Sequence, residues 1–256
     1  MSLIEVDAVS KAFWIPSVGR ETVREHLLSM LQPRRFQRLQ VLDGVSFDVR
    51  RGEALGIMGR NGSGKSTLLK IVCGVYPPDQ GRVSARAAIT PILELGVGWN
   101  PELDAVDNVL LIGSVMGLTL NHIRRSMEEI LTFAELERFA NLKLKHYSSG
   151  MAARLSYAVA FKAVREVLVL DEVFAVGDAG FKERCEERYW ALRSLGHTVI
   201  IVSHDPRAVS RFCDRALLLD GGRIVMEGEA REVADRYVSM LTHTGREASE
   251  APPVLQ

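Results

Sequence analysis

The chain has 256 residues, and its 32 Lys plus Arg balance 32 Asp plus Glu, so its formal net charge at pH 7 is zero. This balance gives no indication of a nucleic-acid-binding surface, and we expect no nucleic-acid partner. Hydrophobic residues make up 47% and charged residues 25%, as in ordinary globular proteins with a buried core. No apolar run approaches the roughly 18 residues of a membrane span, and acidic residues follow Met1 too closely for a signal peptide. We therefore expect a soluble chain that reaches a membrane only through a partner.

The first predicted strands lie at 3–7 and 41–50, where apolar and polar residues alternate as in half-buried strands. Between them, at about 15–40, apolar residues recur at helical spacing among many arginines, which predicts an inserted amphipathic helix. Its arginines are Arg20, Arg24, Arg34, Arg35 and Arg38.

A compact apolar strand at 54–58 leads into the sequence GRNGSGKS at 59–66, which opens a predicted helix. This is the structural context of a P-loop, in which backbone N–H groups and a helix N-terminus surround phosphate oxygens. We expect Lys65 to reach the β- and γ-phosphates and the Ser66 hydroxyl to bind Mg²⁺. The predicted nucleotide-binding residues here are Gly59, Asn61, Gly62, Ser63, Gly64, Lys65, Ser66 and Thr67. Because no Asn-Lys-x-Asp guanine motif is present, ATP is favoured over GTP.

A helix-rich segment at about 91–160 precedes an apolar strand that ends in Asp171 and Glu172. A buried parallel strand presents its C-terminal end to the ligand crevice. We expect Asp171 to hold Mg²⁺ through its water shell and Glu172 to polarise the attacking water as general base.

A second apolar strand, at 198–202, ends in Ser203, His204 and Asp205. These residue types suggest a hydrolase triad, but neighbouring strand residues point to opposite faces and cannot converge. His204 is better interpreted as a sensor of the γ-phosphate, so Lys65, Glu172 and His204 are the predicted catalytic residues. A glycine turn at 221–222 predicts a hairpin, and the polar chain beyond Tyr237 predicts a flexible tail at 241–256 after one domain at 1–240.

With these motifs in this order, the chain resembles the nucleotide-binding subunits of ABC transporters along nearly all its length. The family's Leu-Ser-Gly-Gly-Gln signature corresponds to residues 147–151, where Ser148 and Gly150 match while Ser149 and Met151 depart. The resemblance implies an α/β P-loop NTPase fold with a RecA-like core, an antiparallel β subdomain and a helical signature subdomain. It also implies a head-to-tail homodimer in which the signature helix faces the γ-phosphate of an ATP held by the opposite subunit. Asp178 resembles the D-loop aspartate that crosses this interface.

Two further positions of the family are less clearly matched. Glu94 occupies the expected place of the Q-loop glutamine, since Gln80 comes too early, and a carboxylate there could approach Mg²⁺. The aromatic residue that stacks on adenine is Phe13 or Trp14, and Phe13 fits the register better.

The segments 93–103, 147–151 and 171–179 closely resemble the branch of polysaccharide exporters that includes the ATPases for O-antigen, capsule and teichoic acid. This resemblance implies a lipid-linked polysaccharide as cargo, an integral membrane permease dimer as partner, and a peripheral location at the cytoplasmic face of the inner membrane. The arginine-rich insertion resembles an element of that branch near the membrane face, and a solvated amphipathic helix is the alternative. The short stretch after Tyr237 cannot form the C-terminal carbohydrate-binding β-sandwich of some members, so we expect export without that selection.

Three alternatives remain at this point. The first is an exporter of another substrate, such as a drug, lipid or peptide. The second is an ABC ATPase of DNA repair or translation, although such proteins usually carry coiled coils or two fused cassettes. The third is a nucleotide-binding subunit with a purely structural role.

Overall fold

The computed structural model describes residues 2–16, 36–92, 98–172 and 177–250, with side chains up to 242. The predicted amphipathic helix and Glu94 lie outside these residues. Within the described ranges, no helix is both long and apolar enough to cross a lipid bilayer.

Three antiparallel strands form a small sheet in the order β2-β1-β4. They are β1 (Ser2–Pro16), β2 (Phe36–Arg50) and β4 (Gln80–Ala85). Alternation along β1 buries Ile4, Val6 and Val9 against the main core. Both β1 and β2 are longer than the strands predicted at 3–7 and 41–50, because their pairing continues to Pro16 and Phe36. The predicted insertion therefore begins and ends in strand, where exposed residues such as Ile15 and Phe36 do not show the alternation of a half-buried strand.

A six-stranded sheet in the order β5-β6-β7-β3-β8-β9 forms the centre of the fold. Its strands are β3 (Ala54–Met58), β5 (Ile89–Ile92), β6 (Val167–Asp171), β7 (Thr198–Val202), β8 (Arg215–Asp220) and β9 (Arg223–Glu229). All are parallel except β9, which pairs with β8 as the predicted hairpin. The buried apolar runs of β3, β6 and β7 explain this arrangement, because parallel strands are covered on both faces. The predicted α/β P-loop fold with a separate antiparallel sheet is confirmed.

Seven α-helices are described. They are α1 (Lys65–Val72), α2 (Ala105–Val115), α3 (Leu120–Ala134), α4 (Ser149–Lys162), α5 (Ala179–Ser194), α6 (Pro206–Phe212) and α7 (Ala230–Glu250). Helices α2, α3 and α4 share a hydrophobic core of their own, centred on Val109, Ile123 and Leu155. They lie within the segment at about 91–160 for which a helical subdomain is predicted.

The C-terminal helix α7 differs from the prediction. The polar chain beyond Tyr237 predicts a tail, whereas α7 continues to Glu250. The physical reason is that this stretch has no proline before Pro252 to interrupt the helical hydrogen bonds. Its apolar face, including Val233 and Tyr237, packs on Met58 at the end of β3.

Candidate functional site

The loop between β3 and α1 is shaped by glycines that no other residue could replace. A Cβ on Gly59 would lie 2.2 Å from the backbone oxygen of Leu219. Gly64 has φ +105, and a Cβ there would lie 2.7 Å from the oxygen of Val41. Gly64 is also the N-cap of α1 and makes no side-chain cap hydrogen bond. The first backbone N–H groups of α1 are therefore left for an anion at this helix end.

Lys65, the first residue of α1, folds back into this loop. Its Nζ donates to the backbone oxygens of Gly59 at 2.8 Å and of Arg60 at 3.0 Å. The pKa of Lys65 is lowered, mainly because the ammonium is buried. The negative charges of Glu172 and Asp171 offset part of this effect. The ammonium therefore lies in the loop and close to both carboxylates. An anionic ligand in the loop could accept its hydrogen bonds in place of the backbone oxygens.

The residues predicted to bind Mg²⁺ are adjacent in the structure. The Ser66 side chain lies close to Asp171 at the end of β6. Burial is the main effect that raises the pKa of Asp171, and repulsion from Glu172 raises it further. One hydroxyl and one carboxylate suit Mg²⁺, because this ion usually keeps several waters and binds substrate phosphates as well. In the described part of the chain, no group of three or more His, Cys, Asp or Glu side chains is placed to hold a metal ion. Glu94 lies outside the described residues.

Glu172 and His204 form a direct pair across two neighbouring strands. The Oε1 atom of Glu172 lies 2.8 Å from Nδ1 of His204, and the two side chains are 41% and 63% exposed. Glu172 has φ +56, unusual for a residue other than glycine, and its N–H donates to Val202 O at 2.9 Å. Because of this left-handed conformation, the chain leaves the strand direction at Glu172, directly after Asp171 at the end of β6. The two neighbouring carboxylates therefore do not follow the regular alternation of a strand.

Ser203 and Asp205, the sequence neighbours of His204, make local contacts and do not form a catalytic triad with it. Ser203 Oγ accepts the N–H of Asp205 at 3.0 Å, and Asp205 caps α6 by accepting the N–H of Arg207. The partner of His204 is Glu172, which lies 32 residues away in sequence and which the sequence does not identify.

The predicted signature residues form the first turn of α4. Ser148 is the N-cap, and its Oγ accepts the N–H of Met151 at 3.2 Å. The helix therefore starts at Ser149, because Ser148 supplies the cap. Ser148 and Ser149 are exposed, with Gly150 behind them. Among the described residues, no hydrogen bond or ion pair joins this turn to the P-loop of the same chain.

Asp178 caps helix α5 and is tied to α4 by an ion pair. Its Oδ1 accepts the N–H of Phe181 at 3.0 Å, and its Oδ2 pairs with Nη2 of Arg154 at 2.5 Å. Arg154 also pairs with Glu135 at the end of α3 and lies over the Phe181 ring. The hydrogen bond from Phe181 lowers the pKa of Asp178. Arg154 is a connection that the sequence prediction missed, although its position one turn into the signature helix could have suggested it.

Phe13 and Trp14 are placed differently on β1. Phe13 packs edge-on against Tyr76 with ring centroids 6.0 Å apart, while Trp14 is 68% exposed. Lys11 lies over the Phe13 ring and pairs with Asp79 at 2.8 Å, and Asp79 also accepts the N–H of Ala12. Phe13 is therefore held by its neighbours, and its stacking on adenine stays a prediction.

Comparison with known proteins identifies the family. The family model described as ABC transporter matches residues 42–175. The chain is 39% identical to the ABC transporter protein AbcA of Aeromonas salmonicida, over 96% of this chain and 79% of that protein. It is 34% identical to the O-antigen export system ATP-binding protein RfbB of Myxococcus xanthus, over 100% of this chain and 60% of the relative. It is 37% identical to the teichoic acids export ATP-binding protein TagH of Listeria innocua, over 82% of this chain and 62% of the relative.

Solved structures agree with this result. An ATP-binding cassette solved as a dimer in a post-hydrolysis state, bound to ADP and Pi, is 25% identical and superimposes with a TM-score of 0.70. The match covers 89% of this chain and 99% of that one. The chain therefore belongs to the ABC transporter family, as an ATP-binding and ATP-hydrolysing subunit.

Proposed function

We propose that this subunit powers the export of a lipid-linked polysaccharide, such as an O-antigen or another cell-surface glycan, across the inner membrane. The relatives named for O-antigen export and teichoic acid export support this cargo. One observation carries the chemistry. Glu172 and His204, which follow the neighbouring strands β6 and β7, lie 2.8 Å apart, and Lys65 in the loop after the adjacent strand β3 is close enough for the charge of Glu172 to affect its pKa.

Phosphate binding follows from the loop between β3 and α1. Lys65 exchanges its two backbone partners for the β- and γ-phosphates of ATP, and residues 59–67 provide backbone N–H groups. Mg²⁺ would be held by Ser66 and, through water, by Asp171, with Glu94 as a further proposed oxygen ligand. When bound, this ion neutralises charge on the phosphates. Phe13 is the proposed platform for adenine.

Glu172 is the proposed general base. Its carboxylate accepts a proton from the water that attacks the γ-phosphate, and Nδ1 of His204 orients that carboxylate from 2.8 Å away. His204 is also the proposed sensor of the γ-phosphate. The exposed position of both side chains leaves the crevice open to nucleotide in a single chain.

A second copy of the chain would complete the site. The first turn of α4 is exposed and presents a helix N-terminus, which favours an anion. We propose that Ser148, Ser149, Gly150 and Met151 contact the γ-phosphate held by the partner of a head-to-tail homodimer. Asp178 would lie at the same interface.

The dimer is proposed to bind beneath an integral membrane permease dimer, at the cytoplasmic face of the inner membrane. The helical subdomain would transmit dimer closure to the permease. Just before α2, the buried side chain of Asn108 hydrogen-bonds the backbone of Asn100, Leu103 and Asp104 and fixes this short stretch.

The assigned base is tested by Glu172→Gln. We expect loss of phosphate release together with an ATP-dependent dimer that persists in size-exclusion chromatography, since ATP still binds but cannot be hydrolysed. Glu186→Gln is the matched control, because Glu186 pairs with Arg211 on another surface and should leave turnover unchanged. Normal turnover in Glu172→Gln would show that another group is the base.

The cargo is tested by expressing the chain with its permease and measuring surface glycan. We expect wild-type protein to restore surface glycan and Glu172→Gln to fail. If the wild type hydrolyses ATP with the permease but moves no glycan, the alternative of a drug, lipid or peptide exporter is favoured.

A further inference from the structure

The segment between α1 and β4 is joined to β1 by hydrogen bonds directly beside Phe13. Asp79 Oδ2 accepts the N–H of Ala12 at 2.7 Å, and Asp79 Oδ1 pairs with Nζ of Lys11 at 2.8 Å. The same Nζ donates to the backbone oxygen of Pro77 at 2.9 Å. The side chain of Lys11 is only 12% exposed, so water competes little for these bonds. They fix the backbone of β1 at the two residues that precede Phe13.

Tyr76, in the same segment, contacts both the ring of Phe13 and the helix α1. The planes of the two rings are inclined by 72° with centroids 6.0 Å apart, the edge-to-face arrangement that aromatic pairs favour. The N–H of Tyr76 donates to the oxygen of Lys70 in the last turn of α1 at 3.3 Å. Nζ of Lys70 lies over the tyrosine ring, 5.8 Å from its centroid. Tyr76 therefore joins the ring of Phe13 to the helix that begins in the P-loop at Lys65.

Phe13 keeps part of its surface accessible despite these contacts. Nζ of Lys11 lies over its ring, 5.7 Å from the centroid, and Tyr76 packs edge-on against it, yet the side chain is only half-buried. Part of the phenylalanine side chain is therefore left for a ligand, while its neighbours set its position. A ligand that binds a side chain already held in place loses less free energy to ordering that side chain, which favours affinity.

We propose that Tyr76 is a positioning residue for nucleotide binding: it holds the ring of Phe13 at a fixed place relative to the P-loop helix α1. The base and the phosphates of ATP are joined through the ribose. The platform for the base and the loop for the phosphates must therefore keep a suitable separation to bind both at once. This inference rests on the proposed stacking of adenine on Phe13.

The test is Tyr76→Leu, which removes the ring and keeps an apolar side chain. The dissociation constant for ATP, measured by calorimetry, should rise about fivefold, the size of effect expected for one aromatic pair. The dissociation constant for inorganic triphosphate should be unchanged, because this ligand has no base. Turnover at saturating ATP should also be unchanged, because Tyr76 acts on binding and not on the reacting atoms. Tyr76→Phe keeps the ring and should bind ATP as the wild type does.

Trp190→Leu is the matched control, because Trp190 is a 45% exposed aromatic residue that packs edge-on against Tyr189 on α5. It should leave the affinities for ATP and for triphosphate unchanged. Wild-type ATP affinity in Tyr76→Leu, or an equal loss of affinity for ATP and triphosphate, would overturn the inference while leaving the proposed function intact. Wild-type ATP affinity in Phe13→Ala would instead refute the proposed adenine platform, and the inference with it.

Discussion

Glu53→Gln tests how far a buried ion pair stabilises the central sheet. Glu53 precedes β3, and its Oε1 lies 2.6 Å from Nε of Arg215 at the start of β8. Oε2 accepts from Arg215 Nη2 at 3.2 Å and from the N–H of Arg50 at 2.8 Å. The side chains of Glu53 and Arg215 are only 9% and 12% exposed. The carboxylate therefore satisfies three donors with little help from water.

Glutamine can accept hydrogen bonds at only one of its two terminal atoms, so in the variant at least one of these donors faces the amide NH₂ group. The guanidinium of Arg215 also loses its counter-charge. Removing one partner of a buried pair typically costs about 3–5 kcal/mol, and partial exposure favours the lower end. For a chain of this size, about 3 kcal/mol corresponds to a fall of roughly 6–10 °C in unfolding temperature. ATP affinity of the folded variant should be unchanged, because Glu53 lies at the opposite end of β3 from the P-loop.

The assay is thermal unfolding followed by circular dichroism, beside a matched control. Asp43→Asn removes the partner of Arg223, a pair between β2 and β9 with side chains 43% and 69% exposed. Exposed pairs contribute about 1 kcal/mol or less, so this control should shift the unfolding temperature far less. Equal shifts in the two variants would refute the reasoning from burial.

Three further predictions concern the site and its supports. Gly59→Ala should abolish ATP binding in filter or calorimetric assays, because its methyl group would lie 2.2 Å from Leu219 O; retained binding would show that the loop tolerates this displacement. Arg154→Gln should lower ATPase turnover several-fold without changing ATP affinity, since it loosens the signature helix but contacts no P-loop residue in the described chain; a change in affinity alone would contradict this. Hydrogen bonds from Lys11 and the backbone lower the pKa of Asp79, so its stabilising effect is present above the unfolded-state pKa and is lost as the pH falls through the folded-state pKa. In Asp79→Asn, the free energy of unfolding measured by urea titration should therefore fall less steeply as the pH is lowered through this range. An unchanged slope would show that Asp79 does not contribute to the acid dependence.

The strand-end residues of the site could be predicted from sequence because their positions follow from backbone rules. An apolar run ending in Asp171 places that carboxylate at the edge of a parallel sheet whatever its neighbours are. Such rules do not say which strands are adjacent, so the pair of Glu172 and His204 was not predictable in detail. The contact of Tyr237 with Gly59 joins residues 178 apart and has no local pattern.

The ends of β1 and β2 and the continuation of α7 were missed for a related reason. Burial patterns predict only the part of a strand or helix that faces a core. Strand pairing continues to Pro16 and Phe36, and α7 continues to Glu250, through hydrogen bonds of the backbone. These extensions leave no apolar periodicity to detect.

The helical subdomain enters after β5 and returns to β6, and these two strands are hydrogen-bonded neighbours in parallel register. In topological terms it is an insertion whose two attachment points belong to one rigid edge of the sheet. Substitutions, and even exchange of the whole insertion between related subunits, can therefore alter what the helices contact without displacing Lys65 or Asp171. Such a layout separates the surface that the inserted helices present from the loop and strand ends that carry Lys65 and Asp171.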